Sequence, residues 1–191
     1  MKLGLFGGTL DPPHVGHLLA ASDAIEALQL ERVVFIPNAA QPLKPRASAA
    51  PATDRLEMVR RLCQGDARFT CDAIEVDRGG LSFTVDTLRA YRARHPEAEL
   101  VLLVGEDVAA TFPHWKESSL VAELATVVVL TRDAVATTGP VGVGRRVHTR
   151  RIDVSSTEIR ARVAAGQPIT GFVPPAVADY IAQHGLYRGA Q

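Results

Sequence analysis

The sequence predicts an α/β protein in which one parallel sheet is covered by helices on both faces. Short apolar runs alternate with helical segments along the 191 residues. The run from Leu100 to Val104 is apolar at every position, as strands covered on both faces are. In the segment from Ser82 to His95, the apolar residues Val85, Leu88 and Tyr91 recur at helical spacing. Strands that alternate with helices indicate βαβ units and therefore a parallel sheet.

Six strands and the helices between them can be placed in order. The predicted strands cover residues 2–6, 32–36, 69–76, 100–104, 125–130 and 146–154. The first predicted helix begins near residues 14–16, and the second begins with a capping box of Asp54 and Glu57. Three more helices are predicted over 82–95, 156–165 and 176–184, and a broken helical region lies around 112–115. Residues 133–144 are predicted to form an irregular surface loop. Ligands of such sheets bind beyond the C-terminal ends of the strands.

Length and composition predict a single domain, with a short helical segment of about residues 155–191 packed on it. The formal net charge of zero argues against a broad nucleic-acid or membrane surface. No apolar run approaches the roughly 20 residues that a membrane-spanning helix needs. Cys63 and Cys71 are the only cysteines, and we expect them to be reduced thiols in a cytoplasmic protein.

The opening turn, from Gly7 to His17, joins the first strand to the first helix. It matches neither of the common phosphate-binding glycine motifs. Glycines there allow a ligand close to the backbone, and the helix start attracts anions. His14 and His17 lie three positions apart, on one side of the helix. The turn therefore predicts a nucleotide phosphate site. The alternatives are a plain glycine-rich turn and a zinc site of Asp11, His14 and His17, for which no further ligand has matching spacing.

Three other stretches follow predicted strands. Ser155 to Arg160 begins a helix, where the serine and Glu158 can form a capping box while the hydroxyls and the arginine hold a polyphosphate. Lys44 lies in a proline-rich loop, where it can contact a phosphate. Asp107 can hold sugar hydroxyls, and Trp115 can either stack on a flat ring or pack in the core.

These residues resemble the bacterial nicotinate-nucleotide adenylyltransferases, which are Rossmann-like nucleotidyltransferases. The opening turn is similar to the family signature G-G-T-F-D-P-x-H-x-G-H, and Ser155 to Arg160 is similar to S-S-T-x-I-R. The narrower matches are Pro37-Asn38 with Lys44, Arg55 to Met58, Ser82 to Leu88, Gly105 to Trp115, and Pro174 to Tyr187. Three departures are Leu10 in place of phenylalanine, Glu106 in place of a small residue, and Arg132-Asp133-Ala134 in place of R-P-G.

The resemblance implies a reaction and a set of site residues. ATP and nicotinate mononucleotide would give deamido-NAD and pyrophosphate by direct in-line attack, with Mg²⁺ carried on the ATP phosphates. The residues expected to be catalytic are His14, His17, Lys44 and Arg160. Those expected to bind ATP are Gly7, Gly8, Thr9, His14, Gly16, His17, Gly105, Asp107, Ser155, Ser156, Thr157 and Arg160. Those expected to bind nicotinate mononucleotide are Asn38, Lys44, Thr84, Asp107, Trp115 and Arg132.

Two other functions remain open at this stage. The first is adenylyl transfer to phosphopantetheine or to the amide mononucleotide, although phosphopantetheine enzymes are usually shorter and lack a need for the Phe112 to Trp115 block. The second is a non-catalytic nucleotide sensor, which predicts the loss of a histidine or of Arg160, and all of these are present. No nucleic-acid or membrane partner is expected, and the chain is expected to be a monomer or a homo-oligomer.

Overall fold

The computed structural model describes residues 1–43, 49–132 and 144–189. Within these ranges six strands form one sheet. They are β1 (Lys2–Gly8), β2 (Arg32–Pro37), β3 (Phe69–Cys71), β4 (Glu99–Gly105), β5 (Thr126–Thr131) and β6 (Arg146–His148). Their order is β3-β2-β1-β4-β5-β6, and all neighbouring pairs are parallel. This is the Rossmann-like order, so the predicted fold class is confirmed.

Helices connect the strands. They are α1 (Val15–Leu28), α2 (Ala52–Leu62), α3 (Ile74–Arg78), α4 (Thr84–Arg94), α5 (Glu106–Ala109), α6 (Ser118–Leu124), α7 (Ser156–Ala164) and α8 (Pro175–Gln183), with a 3-10 turn at Phe112–His114. None of the helices in the described ranges is long and apolar enough to cross a membrane. Burial raises the pKa of Cys63 and of Cys71 to about 12, so both free thiols are protonated and unreactive at neutral pH.

The sheet separates two hydrophobic clusters, because successive strand residues point to opposite faces. In β4, Leu100 and Leu102 belong to the cluster that includes residues of α3 to α6. Val101 and Leu103 belong to the other cluster, with residues of α1, α2, α7 and α8. The helices at the end of the chain therefore share a core with the first two helices.

The chain winds outwards in two directions from the centre of the sheet. Strands β1 to β3 build one half, and β4 to β6 build the other, so β1 and β4 are neighbours at the point of reversal. Their C-terminal ends, Gly8 and Gly105, border a crevice. Ligands of open parallel sheets bind in a crevice of this kind.

Two predicted strands are wrong in length. The third ends at Cys71, because the Asp72 carboxylate accepts a hydrogen bond from the Ile74 N–H (2.9 Å) and turns the chain into α3. The sixth ends at His148. Two residues later the Arg150 N–H donates to the Asp23 carboxylate on α1 (2.8 Å), so the chain leaves the sheet there.

The capping box predicted for α2 is also wrong. Pro51 precedes the helix, and both predicted capping residues lie within it. Asp54 accepts a hydrogen bond from the Tyr180 hydroxyl on α8 (2.8 Å), and Glu57 pairs with Arg61 (3.0 Å). These two carboxylates are therefore used for packing α2 against α8 and for an ion pair along α2, and neither is used for capping.

Candidate active site

The opening turn leaves β1 at the C-terminal edge of the sheet. Its two leading glycines lie inside β1, so the turn proper covers residues 9–14. Leu10 has a φ of +51° and its side chain is buried in the core. A left-handed conformation is uncommon for a bulky residue, and here the burial of the side chain holds the turn in it. The residue that stands in place of phenylalanine at this position is therefore a packed core residue.

The glycines of the site fall into two kinds. A Cβ atom on Gly7 would meet only the Ile36 carbonyl, at 3.9 Å, and a Cβ atom on Gly105 would meet nothing within 4 Å. Both positions are therefore open on the side where a side chain would project, which leaves room for a ligand. A Cβ atom on Gly16 would lie 3.0 Å from His14 Nδ1, so this glycine allows the imidazole to fold over the helix start.

The two histidines of the turn stack on each other. The ring centres of His14 and His17 are 3.7 Å apart, and the rings are inclined by 31°. The His14 backbone N–H donates to His17 Nδ1 at 3.1 Å, so Nδ1 is unprotonated and the proton of the neutral ring is on Nε2. His14 is 5% exposed, and its Nδ1 atom has no hydrogen-bond partner within the described ranges.

Burial keeps both imidazoles neutral. Desolvation, followed by the positive charge of Arg132, lowers the pKa of His14 to about 4. Desolvation also lowers the pKa of His17 well below its usual value, with smaller effects from His14 and Arg132. The site therefore presents neutral N–H donors at pH 7. The charge of Arg132, which is expected to bind nicotinate mononucleotide, acts on both histidines of the opening turn.

The second motif packs against the opening turn. The Ser156 hydroxyl donates to the Pro12 carbonyl (2.8 Å), and the Arg160 guanidinium donates to the Asp11 carbonyl (2.7 Å). Arg160 also donates to the Thr157 hydroxyl (3.2 Å). The fold thus brings the start of α7 to residues that lie 144 positions earlier in the chain.

The first serine of that motif is the N-cap of α7, as predicted. The Ser155 hydroxyl accepts a hydrogen bond from the Glu158 backbone N–H at 3.1 Å. This bond satisfies one of the free donors of the helix start. Thr157 is exposed and Arg160 is half-buried, so both side chains are accessible beside the turn.

The segment after β2 forms a second wall of the crevice. Asn38 is 6% exposed, and its amide group donates to the Thr9 hydroxyl (3.4 Å). The Thr9 hydroxyl in turn donates to the side-chain oxygen of Gln41 (2.9 Å). The Ala39 N–H donates to the hydroxyl of Ser82 (2.9 Å), which precedes α4. Much of the Asn38 side chain is therefore used to hold the wall together.

The start of α4 borders this wall, and the 3-10 turn shares a hydrophobic cluster with α4. Thr84 is the first residue of α4, where backbone N–H groups lack partners within the helix and the helix dipole is positive. Trp115 is half-buried, packs 5.4 Å from the Phe112 ring and donates from Nε1 to Thr111 (3.0 Å). Part of its ring is accordingly packed, and part is accessible.

The residues after β4 include Glu106, which departs from the small residue of the family pattern. Asp107 is exposed on the first turn of α5. The Glu106 carboxylate pairs with the Arg146 guanidinium of β6 at 3.1 Å. The negative charge that Glu106 adds after β4 is therefore compensated by an arginine of β6, which lies two strands away in the sheet.

The structure does not place all predicted residues. Lys44 and the predicted loop at 133–143 lie outside the described residues. Among the residues that are described, no group of three or more His, Cys, Asp or Glu side chains could hold a metal ion. The Asp11 carboxylate of the zinc alternative accepts hydrogen bonds from the Ala49 N–H and the Tyr187 hydroxyl, both at 2.6 Å.

Arg55 is the site residue whose role the sequence did not indicate. In the sequence it is only the first residue of the segment Arg55 to Met58 that is similar to the family. In the structure it is 1% exposed and donates to the walls on either side of the crevice. Its signal in the sequence is a charge on an apolar helix face, since it lies four and seven positions before the buried Val59 and Leu62.

Comparisons with known proteins show which family this chain resembles along its length. The cytidylyltransferase-like family model matches residues 5–162. A probable nicotinate-nucleotide adenylyltransferase of Gemmatimonas aurantiaca is 52% identical, over 98% of this chain and 93% of the relative. A protein of Thermus thermophilus with the same description is 43% identical, over 98% and 100%. The chain also has the fold of the Plasmodium falciparum nicotinic acid mononucleotide adenylyltransferase complexed with NaAD (TM-score 0.78, 16% identity, 97% of each chain).

Proposed function

The chain belongs to the nicotinate-nucleotide adenylyltransferases, and we propose on that basis that it transfers the AMP part of ATP to nicotinate mononucleotide. The products are deamido-NAD and pyrophosphate. The observation that carries the proposal is the meeting of two motifs at one turn, where Ser156 and Arg160 bind the carbonyls of Pro12 and Asp11 beside the stacked histidines.

We place the ATP phosphates against the opening turn. His14 and His17 supply neutral N–H donors, and Arg160 and Arg132 supply positive charge. Ser156 and Thr157 stand at the start of α7, where the helix dipole also favours an anion. The open positions at Gly7, Gly8 and Gly105 then line the rest of the nucleotide. Donors aimed at developing negative charge are the largest catalytic contribution that such a site can make.

The chemistry needs no protein nucleophile. A phosphate oxygen of nicotinate mononucleotide attacks the α-phosphorus of ATP in line, a new P–O bond forms, and the bond to the bridging oxygen of the leaving pyrophosphate breaks. The attacking phosphate is already anionic at neutral pH, and a histidine with a pKa of about 4 is a weak proton acceptor there. Positioning and charge stabilisation therefore account for catalysis.

Mg²⁺ fits this site as an ion that ATP brings with it. The groups around the turn are N–H donors, guanidinium groups and hydroxyls, which complement phosphate oxygens, while the Asp11 carboxylate is engaged by Ala49 and Tyr187. The ATP phosphates and water would supply the oxygen ligands that Mg²⁺ prefers. When bound, the ion would neutralise charge on the phosphates.

We place the mononucleotide against the second wall. Thr84 at the start of α4 offers a positive helix end to the ring carboxylate, and the accessible part of Trp115 offers a face for the pyridine ring. We assign Asn38 to the phosphoribosyl part and Asp107, exposed on the first turn of α5, to hydroxyl groups. Lys44 lies outside the described residues, and its contact with the mononucleotide stays a prediction. A positive helix end favours the acid over the amide form of the substrate.

A pyrophosphate-release assay with ATP and Mg²⁺ tests the proposal. Nicotinate mononucleotide, nicotinamide mononucleotide and phosphopantetheine are compared by kcat/KM, with the His17→Ala variant as a control for contaminating activity. We expect the highest value with nicotinate mononucleotide. A higher value with either of the other acceptors would identify a different adenylyltransferase, and no turnover with any of them would support a nucleotide sensor.

A further inference from the structure

Arg55 has a fully satisfied guanidinium group in the interior. Its Nη1 donates to the Thr9 carbonyl (2.7 Å) and to the Asn38 side chain (3.2 Å). Its Nη2 donates to the carbonyls of Asn38 (2.7 Å) and Ala39 (3.0 Å), and its Nε donates to the Ala50 carbonyl (3.3 Å). A guanidinium has five N–H donors, and the five bonds match that number.

The acceptors belong to three different segments. Thr9 follows β1, Asn38 and Ala39 follow β2, and Ala50 precedes α2. Four of the five acceptors are backbone carbonyls, so Arg55 fixes the path of the chain. It joins the opening turn, which we assign to ATP, to the wall that we assign to the mononucleotide.

Burying a cation to make these hydrogen bonds costs desolvation free energy. None of the ion pairs found among the described residues includes Arg55. Desolvation lowers the pKa of Arg55, and Asp11 and Tyr187 oppose that effect. A neutral side chain could satisfy some of the carbonyls at lower cost. The planar fork has the one property that a neutral or compact group lacks, since it reaches several acceptors in fixed directions at once.

We infer that Arg55 is a positioning residue that sets the spacing between the two substrates. The inference rests on the proposed function, because it assigns one substrate to each wall. In-line attack needs the mononucleotide phosphate within bonding reach of the α-phosphorus, and a misplacement of about 1 Å can cost on the order of a hundredfold in rate.

The distribution of the bonds predicts which substrate suffers more. Three of the five bonds go to Asn38 and Ala39, and one goes to Thr9. The opening turn keeps its own ties to Ser156 and Arg160. Loss of the fork should therefore loosen the mononucleotide wall while the ATP half stays in place.

The Arg55→Lys variant tests this, because lysine keeps the charge but has no planar fork. We expect KM for nicotinate mononucleotide to rise about tenfold, kcat to fall about tenfold or more, and KM for ATP to change less than about threefold. Arg60→Lys is the matched control. It makes the same change on the same helix, at a side chain that is 55% exposed and pairs with Glu57, and it should leave all three constants unchanged.

A purely structural role predicts a different pattern. It would lower kcat because less of the protein is folded, and it would leave both KM values unchanged. Thermal unfolding curves measure the loss of folded protein. That result would overturn the inference, as would an equal rise in the two KM values. The unmodified chain tests the proposed function separately, because its activity with nicotinate mononucleotide does not depend on the variants.

An Arg55→Ala variant provides a second measurement in case the lysine variant fails to fold. It is assayed with millimolar guanidinium chloride, which is well below denaturing concentrations, because free guanidinium can occupy the vacated position. We expect guanidinium to lower KM for the mononucleotide and to leave KM for ATP unchanged. If neither variant folds, even with guanidinium, Arg55 acts through stability alone and the inference is overturned.

Discussion

The two halves of the crevice are built in different ways. The first half draws its functional groups from two short motifs, and side chains of the second motif, Ser156 and Arg160, donate directly to backbone carbonyls of the opening turn. The mononucleotide wall draws Asn38, Thr84 and Trp115 from three separate elements. Its segments are held by groups behind it, since Arg55 donates to the Asn38 carbonyl and the Ser82 hydroxyl accepts from the Ala39 N–H. The first half depends on side-chain chemistry, and the second depends on spacing.

Burial shifts pKa values in opposite directions in the two halves. In the opening turn, desolvation lowers the pKa values of His14 and His17 and keeps both rings neutral. Behind the mononucleotide wall, desolvation raises the pKa of Glu75, whose carboxylate accepts a hydrogen bond from Thr87 (2.6 Å). We expect changes in the turn, which is assigned to the reacting phosphates, to act chiefly on the rate of the chemical step. Changes in the wall should also raise KM for the mononucleotide.

The largest expected effect is that of His17→Ala. We assign its Nε2 donor to the charge that develops on the phosphates, so kcat should fall about a hundredfold or more. Steady-state kinetics of pyrophosphate release measure the change. His95→Ala, at the far end of α4, is the control and should keep the unmodified rate. Near-native turnover of His17→Ala would remove the catalytic role and erase the contrast between the two halves.

The next effect is that of Gly16→Ala. The new Cβ atom would lie 3.0 Å from His14 Nδ1, so the imidazole must move and kcat should fall about tenfold. A Cβ atom on Gly189 would meet nothing within 4 Å, which makes Gly189→Ala a control with the same substitution in open space. Unchanged kinetics of Gly16→Ala would show that the position of His14 does not matter to the reaction.

Trp115→Ala should change affinity more than rate. Loss of the accessible ring face should raise KM for nicotinate mononucleotide about fivefold, since such a ring contact contributes about 1 kcal/mol. We expect kcat and KM for ATP to stay close to their original values. Trp115→Phe keeps a ring, loses the bond to Thr111 and should behave almost as the unmodified chain. If KM for the mononucleotide did not change, Trp115 would be a packing residue only.

The smallest expected effect is on the free energy of unfolding at acidic pH. The pKa of His14 is about 4 when folded and near its usual value of 6.5 when unfolded, so the unfolded state binds more protons between these values. The free energy of unfolding should therefore fall as the pH is lowered, by about 1 kcal/mol for His14 alone between pH 7 and pH 5.5. Urea titrations at the two pH values measure this loss.

A matched pair of variants isolates the contribution of that histidine. His14→Gln should reduce the acid-induced loss of stability, and His114→Gln, at an exposed position, should not. Equal losses in both variants would mean that His14 is not desolvated in the folded protein. The difference between the two halves would then not rest on buried neutral imidazoles.

Local pattern predicted much of the fold and part of the site. Apolar runs and helical spacing predicted the parallel sheet with helices on both faces, because burial on both faces of a strand is visible in its composition. The failures lie where a single side chain redirects the backbone, as Asp72 does after β3. A hydrogen bond of this kind competes with the strand and leaves no periodic signal.

The sequence by itself determined the family, the opening turn and the N-cap at Ser155, because each depends on residues that are neighbours in the chain. Only the tertiary structure decided which groups act together. It placed Arg160 against Asp11, and it made Arg55 the link between the two walls. These contacts join residues whose distance depends on how the sheet is wound, and four of the five acceptors of Arg55 are backbone carbonyls, which every residue type carries.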